Sequence, residues 1–210
     1  TSNFDNFVSS LNEKNRWIYS IIPILIISLF STSILSLLQS GLPLDLAKGG
    51  IIRPPLNETY SSLIIAFQLS LFLLFQWPLG LWLSNKNIKY GLRISLISLS
   101  IGCSLLALSN QFVNGVIIVI FALILIAIGL TSFLPVATEA IIKISPPSKR
   151  GIGMALFSQC FGISSIIAPI ASGKIIDELG NGLFLWLMMS TLAILCIPLT
   201  NKIKTTSVFD

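Results

Sequence analysis

The sequence predicts an all-α membrane protein in which six transmembrane helices form two inverted three-helix repeats. Three observations carry that expectation. The 210 residues are 54% hydrophobic and only 10% charged, where a soluble domain carries roughly 25% charged residues. The mean hydropathy is +0.91. Apolar runs of about 20 residues recur along the chain, enough at about 1.5 Å per residue to cross a hydrocarbon core of roughly 30 Å. Between them the basic residues concentrate in alternate loops, as short cytoplasmic loops do.

Residues 1–16 are polar but place Phe4, Phe7, Val8 and Leu11 at i, i+3, i+4 and i+7, the spacing of one helical face. They read as a short interfacial helix or as a cytoplasmic tether. With no initiator Met and no cleavable signal pattern at Thr1, the chain is expected to be a piece of a longer polypeptide. The six-helix bundle then occupies residues 17–200. Its first span covers 17–38 and is expected to continue as a helix to Leu42, before Pro43; the second covers 63–83 and the third 92–108. The fourth, about 113–140, belongs to an apolar stretch that reaches Ile144 and is long for one crossing. Two crossings would each be too short and would break the alternation of charge, so one long helix bent at Gly129 or Pro135 is expected. Spans five and six cover 153–176 and 183–199, and residues 201–210 form a cytoplasmic tail.

With the N-terminus inside, Lys14, Arg16, Lys86, Lys89, Arg93, Lys143, Lys149, Arg150, Lys202 and Lys204 are cytoplasmic, and Lys48, Arg53 and Lys174 are outside. That asymmetry puts both termini in the cytoplasm, and the expected location is a bacterial inner (plasma) membrane. Trp17, Trp77, Tyr90 and Trp186 fall near the expected span ends, where amphipathic rings settle.

An internal repeat supports the same plan. Ser40-Gly41-Leu42-Pro43-Leu44 resembles Ser132-Phe133-Leu134-Pro135-Val136, and the Gln68 to Pro78 spacing recurs from Gln159 to Pro169. The repeats would cover about 17–109 and 113–200. Three crossings are an odd number, so the copies must face opposite ways, an arrangement found in secondary transporters.

Several function classes are excluded or disfavoured. Cys103, Cys160 and Cys196 all lie in apolar runs without metal-ligand spacing, and read as small core residues. The absence of histidine removes His-based triads and HExxH zinc sites. No nucleophile has a plausible base and no carboxylate pair or phosphate loop is present, so no enzyme, metal or cofactor is expected. The net charge of +5 is spread thinly and forms no basic face for nucleic acid.

Three segments carry a family resemblance. Gln76-Trp77-Pro78-Leu79-Gly80-Leu81-Trp82-Leu83-Ser84-Asn85-Lys86, followed by Lys89 and Arg93, is similar to the loop after the second helix of each half of a major facilitator superfamily transporter. Pro146-Pro147-Ser148-Lys149-Arg150-Gly151-Ile152-Gly153-Met154 resembles the basic turn before the fifth helix. Gly162 through Ala168-Pro169 to Gly173 and Asp177 resembles that helix's glycine and proline pattern. The chain thus looks like one six-helix half of such a transporter, the C-terminal half, because the loop acid expected at Ser84 or Asn85 is missing. The resemblance implies that helices one and four line a central cavity, two and five flank it at the interface between halves, and three and six face lipid.

The polar residues inside the spans are the candidate site. Ser28, Thr32, Ser36 and Gln39 share one face of the first span, and either meet a solute or hydrogen-bond between helices. Gln68 and Gln159 occupy matched repeat positions, and a carboxamide in lipid needs a protein or wet partner. The substrate-binding candidates are therefore Ser28, Thr32, Gln39, Gln68 and Gln159. Glu139 is the only acid in an apolar run; with Arg93 or Arg150 as partner it would form a gating ion pair, the alternative being a hydrated carboxylate at the interface. The expected function is secondary active or facilitative transport of a small solute by alternating access, in the lipid bilayer with a second six-helix half. The alternative is a self-contained accessory or assembly subunit of a membrane complex.

Overall fold

The computed structural model describes the backbone of residues 2–84 and 86–203 and the side chains of 17–84 and 86–203. The expected interfacial face of Phe4, Phe7, Val8 and Leu11, and most of the tail, lie outside the described side chains. Among the described residues every element is helical: α1 (Ser2–Lys48), α2 (Glu58–Ser84), α3 (Ile88–Ser109), α4 (Gly115–Ile144), a 3₁₀ turn (Pro147–Lys149), α5 (Arg150–Leu179), α6 (Leu183–Cys196) and the short α7 (Leu199–Lys202). Six helical segments are long and apolar enough to cross a membrane.

One boundary differs from expectation. Helix α1 does not stop before Pro43 but runs through Pro23 and Pro43 to Lys48. A proline removes one amide and strains one turn, yet in a medium without water the remaining backbone groups still need helical partners. Helix α4 likewise runs through Gly129 and Pro135 as one element. Prolines also lie inside α2 (Pro78) and α5 (Pro169), so the interrupted helices are the first two of each repeat. Helices α1 and α5 each end on a glycine in the left-handed region, Gly49 at φ +82° and Gly180 at φ +74°, where a side chain would be strained.

Packing follows the repeat in part. Helix α1 lies mainly against α5, and α4 packs on α2, the pairing that exchange of the two repeats requires; α3 and α6 pack on each other. The exchange is incomplete, since α3 also packs extensively on α4 while α6 barely touches α1. Small residues set the α1–α5 contact: Ser164, Ala168 and Ser172 are buried, and a Cβ on Gly41 would sit 3.1 Å from that of Ser172, which allows close approach. Serines fasten α3 to α6, with the Ser104 and Ser190 hydroxyls 2.7 Å apart and Ser190 donating to the Ser100 carbonyl at 3.0 Å. Two helices are left bare. Of the most apolar stretch of each, 17% of α2 and 22% of α5 is buried, against 56% in α1, α3 and α4.

Candidate functional site

A cavity of about 820 Å³ opens between α1, α2, α4 and α5. It runs from Thr32 and Phe161 at mid-helix to Glu139 and Lys143 near the end of α4, so its long axis follows the helices. The wall is mostly apolar, with Leu35, Phe72, Leu130, Leu134 and Phe161 facing it. Phe157 joins two of the lining rings, Phe133 and Phe161, into an aromatic chain linking α4 to α5, with successive ring centroids 6.3 and 5.4 Å apart. The hydroxyls of Thr131 and Thr138 line the space but donate back to the Ala127 and Leu134 carbonyls of their own helix, at 2.6 and 2.9 Å. This gives their hydroxyl protons a partner without a solute.

The expected substrate residues are distributed unevenly. Thr32 lines the cavity and bonds the Ser28 carbonyl at 2.8 Å and the Ser164 hydroxyl at 2.7 Å. Ser28 does not line it; its hydroxyl is fully buried and donates to the Ile24 carbonyl at 2.7 Å. Gln39 and Gln159 are exposed on α1 and α5, outside the cavity lining. Gln68, matched to Gln159 in the repeat, is instead buried, and neither carboxamide atom has a hydrogen-bond partner. It stands one turn from Phe72, which lines the cavity. Gln76, also on α2, lines the cavity directly.

The expected gating pair is not formed in this structure. Glu139 pairs not with Arg93 or Arg150 but with Lys143, at 2.6 Å and one turn along the same helix. Arg93 reaches α7, donating to Thr200 Oγ1 at 3.3 Å and to Asn201. Arg150 is exposed and has no ion pair among the described residues. The local i, i+4 partner prevails because two residues of one helix meet without ordering a second element.

A charge cluster that sequence reading missed lies at the opposite end of the bundle. Asp45, on α1 beyond Pro43, is fully buried and pairs with Arg53 of the α1–α2 loop at 3.1 Å. The carboxylate also accepts from the Gly182 amide at 2.9 Å and the Trp186 indole at 3.0 Å. Arg53 donates to the Asp45 carbonyl at 3.0 Å and to Ser109 Oγ at 2.7 Å. One ion pair thus joins α1, its following loop, α3 and α6. Three glycines make room for it: a Cβ on Gly182 would strike the Asp45 carboxylate, one on Gly115 the Ser109 carbonyl, and one on Gly50 would come within 2.6 Å of Asn110 Cα. Arg53 is therefore not a loose outer-loop cation, and Trp186 is not an interfacial ring but a buried donor. The available signal was spacing, since Asp45 follows Leu38 and Leu42 at i+7 and i+3 on a buried stripe; the early helix end expected at Leu42 hid it. Nearby, Lys48 pairs with Asp177 and ties α1 to α5.

Residues 14–205 match the family model described as Major Facilitator Superfamily. The chain belongs to the major facilitator superfamily. As a member of that transporter superfamily it is an integral, multi-pass membrane protein. No curated protein matches the chain by sequence.

Proposed function

We propose that this chain is one six-helix half, the C-terminal one, of a twelve-helix transporter that moves a small solute by alternating access across a bacterial inner membrane, with both termini cytoplasmic. The observation that carries the reading is the elongated cavity between the two interrupted helix pairs α1/α4 and α2/α5, set opposite an end bound by the buried Asp45–Arg53 cluster. A site reached from one end, with the other end held together, is what alternating access needs at any moment. The bare faces of α2 and α5 supply the surface for a second half. Thr32 and Gln68 then act at or beside the solute, and Gln39 and Gln159, exposed on α1 and α5, meet it from the seam between halves. Ser28 supports Thr32 through its carbonyl. Glu139 acts at the mouth, where exchange of Lys143 for Arg93 or Arg150 would accompany closure.

The test is reconstitution of the whole polypeptide in proteoliposomes with a panel of solutes. Saturable flux of one solute class, reduced by Gln68→Leu, supports the reading. A folded protein that moves nothing alone but co-purifies with a membrane complex would replace it with the accessory-subunit reading. A reporter fused after Asp210 that is active only in the periplasm would reverse the orientation.

A further inference from the structure

We infer that the solute is a largely apolar molecule, and that one of its hydrogen-bond donors is received by the main-chain carbonyl of Thr131. The inference rests on reading the cavity as the transport path. Pro135 lies inside α4 and has no amide hydrogen, so the Thr131 carbonyl, four residues earlier, lacks its ordinary helical donor. Both residues line the cavity. The Thr131 hydroxyl cannot serve in its place, because it already donates to Ala127.

An acceptor left bare in an apolar, water-poor wall is costly unless something donates to it. Its surroundings limit what that can be. Leu35, Phe72, Leu130, Leu134 and Phe161 face the same space, where the unpartnered Ser31 hydroxyl and the Gln76 carboxamide are the further polar side chains, so a sugar or zwitterion would set more polar groups against the wall than it can partner. The ionic groups on the lining, Glu139 and Lys143, are paired with each other. What fits is an apolar body among the aromatic and aliphatic side chains with few polar groups, one hydroxyl or N–H of which is turned to α4. This assigns a specificity role to a backbone atom whose helical donor a proline removes.

The experiment compares 1-pyrenemethanol with 1-(methoxymethyl)pyrene, which keeps the ring body and caps the donor. Binding is measured to the whole polypeptide in nanodiscs, with empty discs subtracted. The alcohol is expected to bind about tenfold more tightly, the worth of one well-placed hydrogen bond. Pro135→Ala supplies an amide to the Thr131 carbonyl and should bring the ratio to about one; Pro135→Gly supplies the same amide if the Ala variant does not fold. Phe72→Ala should weaken both probes by a similar factor and leave the ratio intact, which a general loss of structure would not do. A wild-type ratio near one, or a ratio that survives both proline variants, overturns the inference. Saturable binding of maltose with neither pyrene bound would overturn the solute class and leave transport standing. Absence of saturable binding by any probe, with no flux in proteoliposomes, would remove both.

Discussion

At one end of the bundle Asp45 and Arg53 pair with no exposed surface, while at the other Glu139 and Lys143 pair with side chains 42% and 53% exposed. Each pair is one acid and one base of the same chain, eight residues apart in the first case and four in the second. The surroundings separate them. Asp45 has two further donors from α6, and Arg53 has two further acceptors, whereas Glu139 and Lys143 share one contact on one helix. Burial makes a pair consequential in both directions, since desolvated charges are repaid only by close partners, which every polar side-chain atom of this pair has except Arg53 Nε. The first pair therefore holds four segments together, and the second can let go at little cost.

Removing half of the buried pair should have the largest effect. Asp45→Asn leaves Arg53 charged and enclosed, and is expected to cost about 3–5 kcal/mol, read as a lower thermal midpoint in detergent. An unchanged melt would show that this end is not held by the pair. Crowding is next. Gly182→Ala drives a methyl into the Asp45 carboxylate and should cost about 1–3 kcal/mol. Gly173→Ala is its control: nothing lies within 4 Å of the new methyl, so stability should hold or rise by up to about 1 kcal/mol. Equal losses at the two glycines would contradict the tight fit. Gln68→Leu comes third. Deleting an unpartnered buried carboxamide should be neutral or stabilising by about 1 kcal/mol, while solute flux falls; a large destabilisation would mean that the amide has a structural partner. Glu139→Gln should shift stability least, by less than about 0.5 kcal/mol. A change in flux without a change in melting would support a gate at the mouth, and unchanged flux would dismiss it.

The same contrast explains what could be read in advance. Span positions followed from run length, because a bilayer permits few alternatives to a helix of that length; even the long fourth element is one helix through Pro135. The family could be read from Gly80, Lys149-Arg150 and the Gly162 to Gly173 pattern. Pairing could not. Gln68 and Gln159 occupy equivalent positions in the repeat, yet one is buried and the other exposed, since that outcome depends on how each helix is rotated against its neighbours. Arg93 and Glu139 were expected to meet because both fall near the same membrane face, but depth fixes only one coordinate, and α7 draws Arg93 elsewhere. The polar face expected on α1 spends its hydroxyls on its own helix, as Ser28 does, or also on a neighbouring one, as Thr32 does with Ser164 of α5. The cavity wall that matters is built instead from phenylalanines on three different helices, a convergence that linear periodicity does not encode.

The three cysteines, Cys103, Cys160 and Cys196, are free and buried. Thiol reagents confined to water should find nothing to modify among the described residues. These 210 residues are therefore already a silent background for placing single reporter cysteines along α2 and α5, and changes in their labelling could follow the opening and closing of the bundle without prior removal of these three thiols.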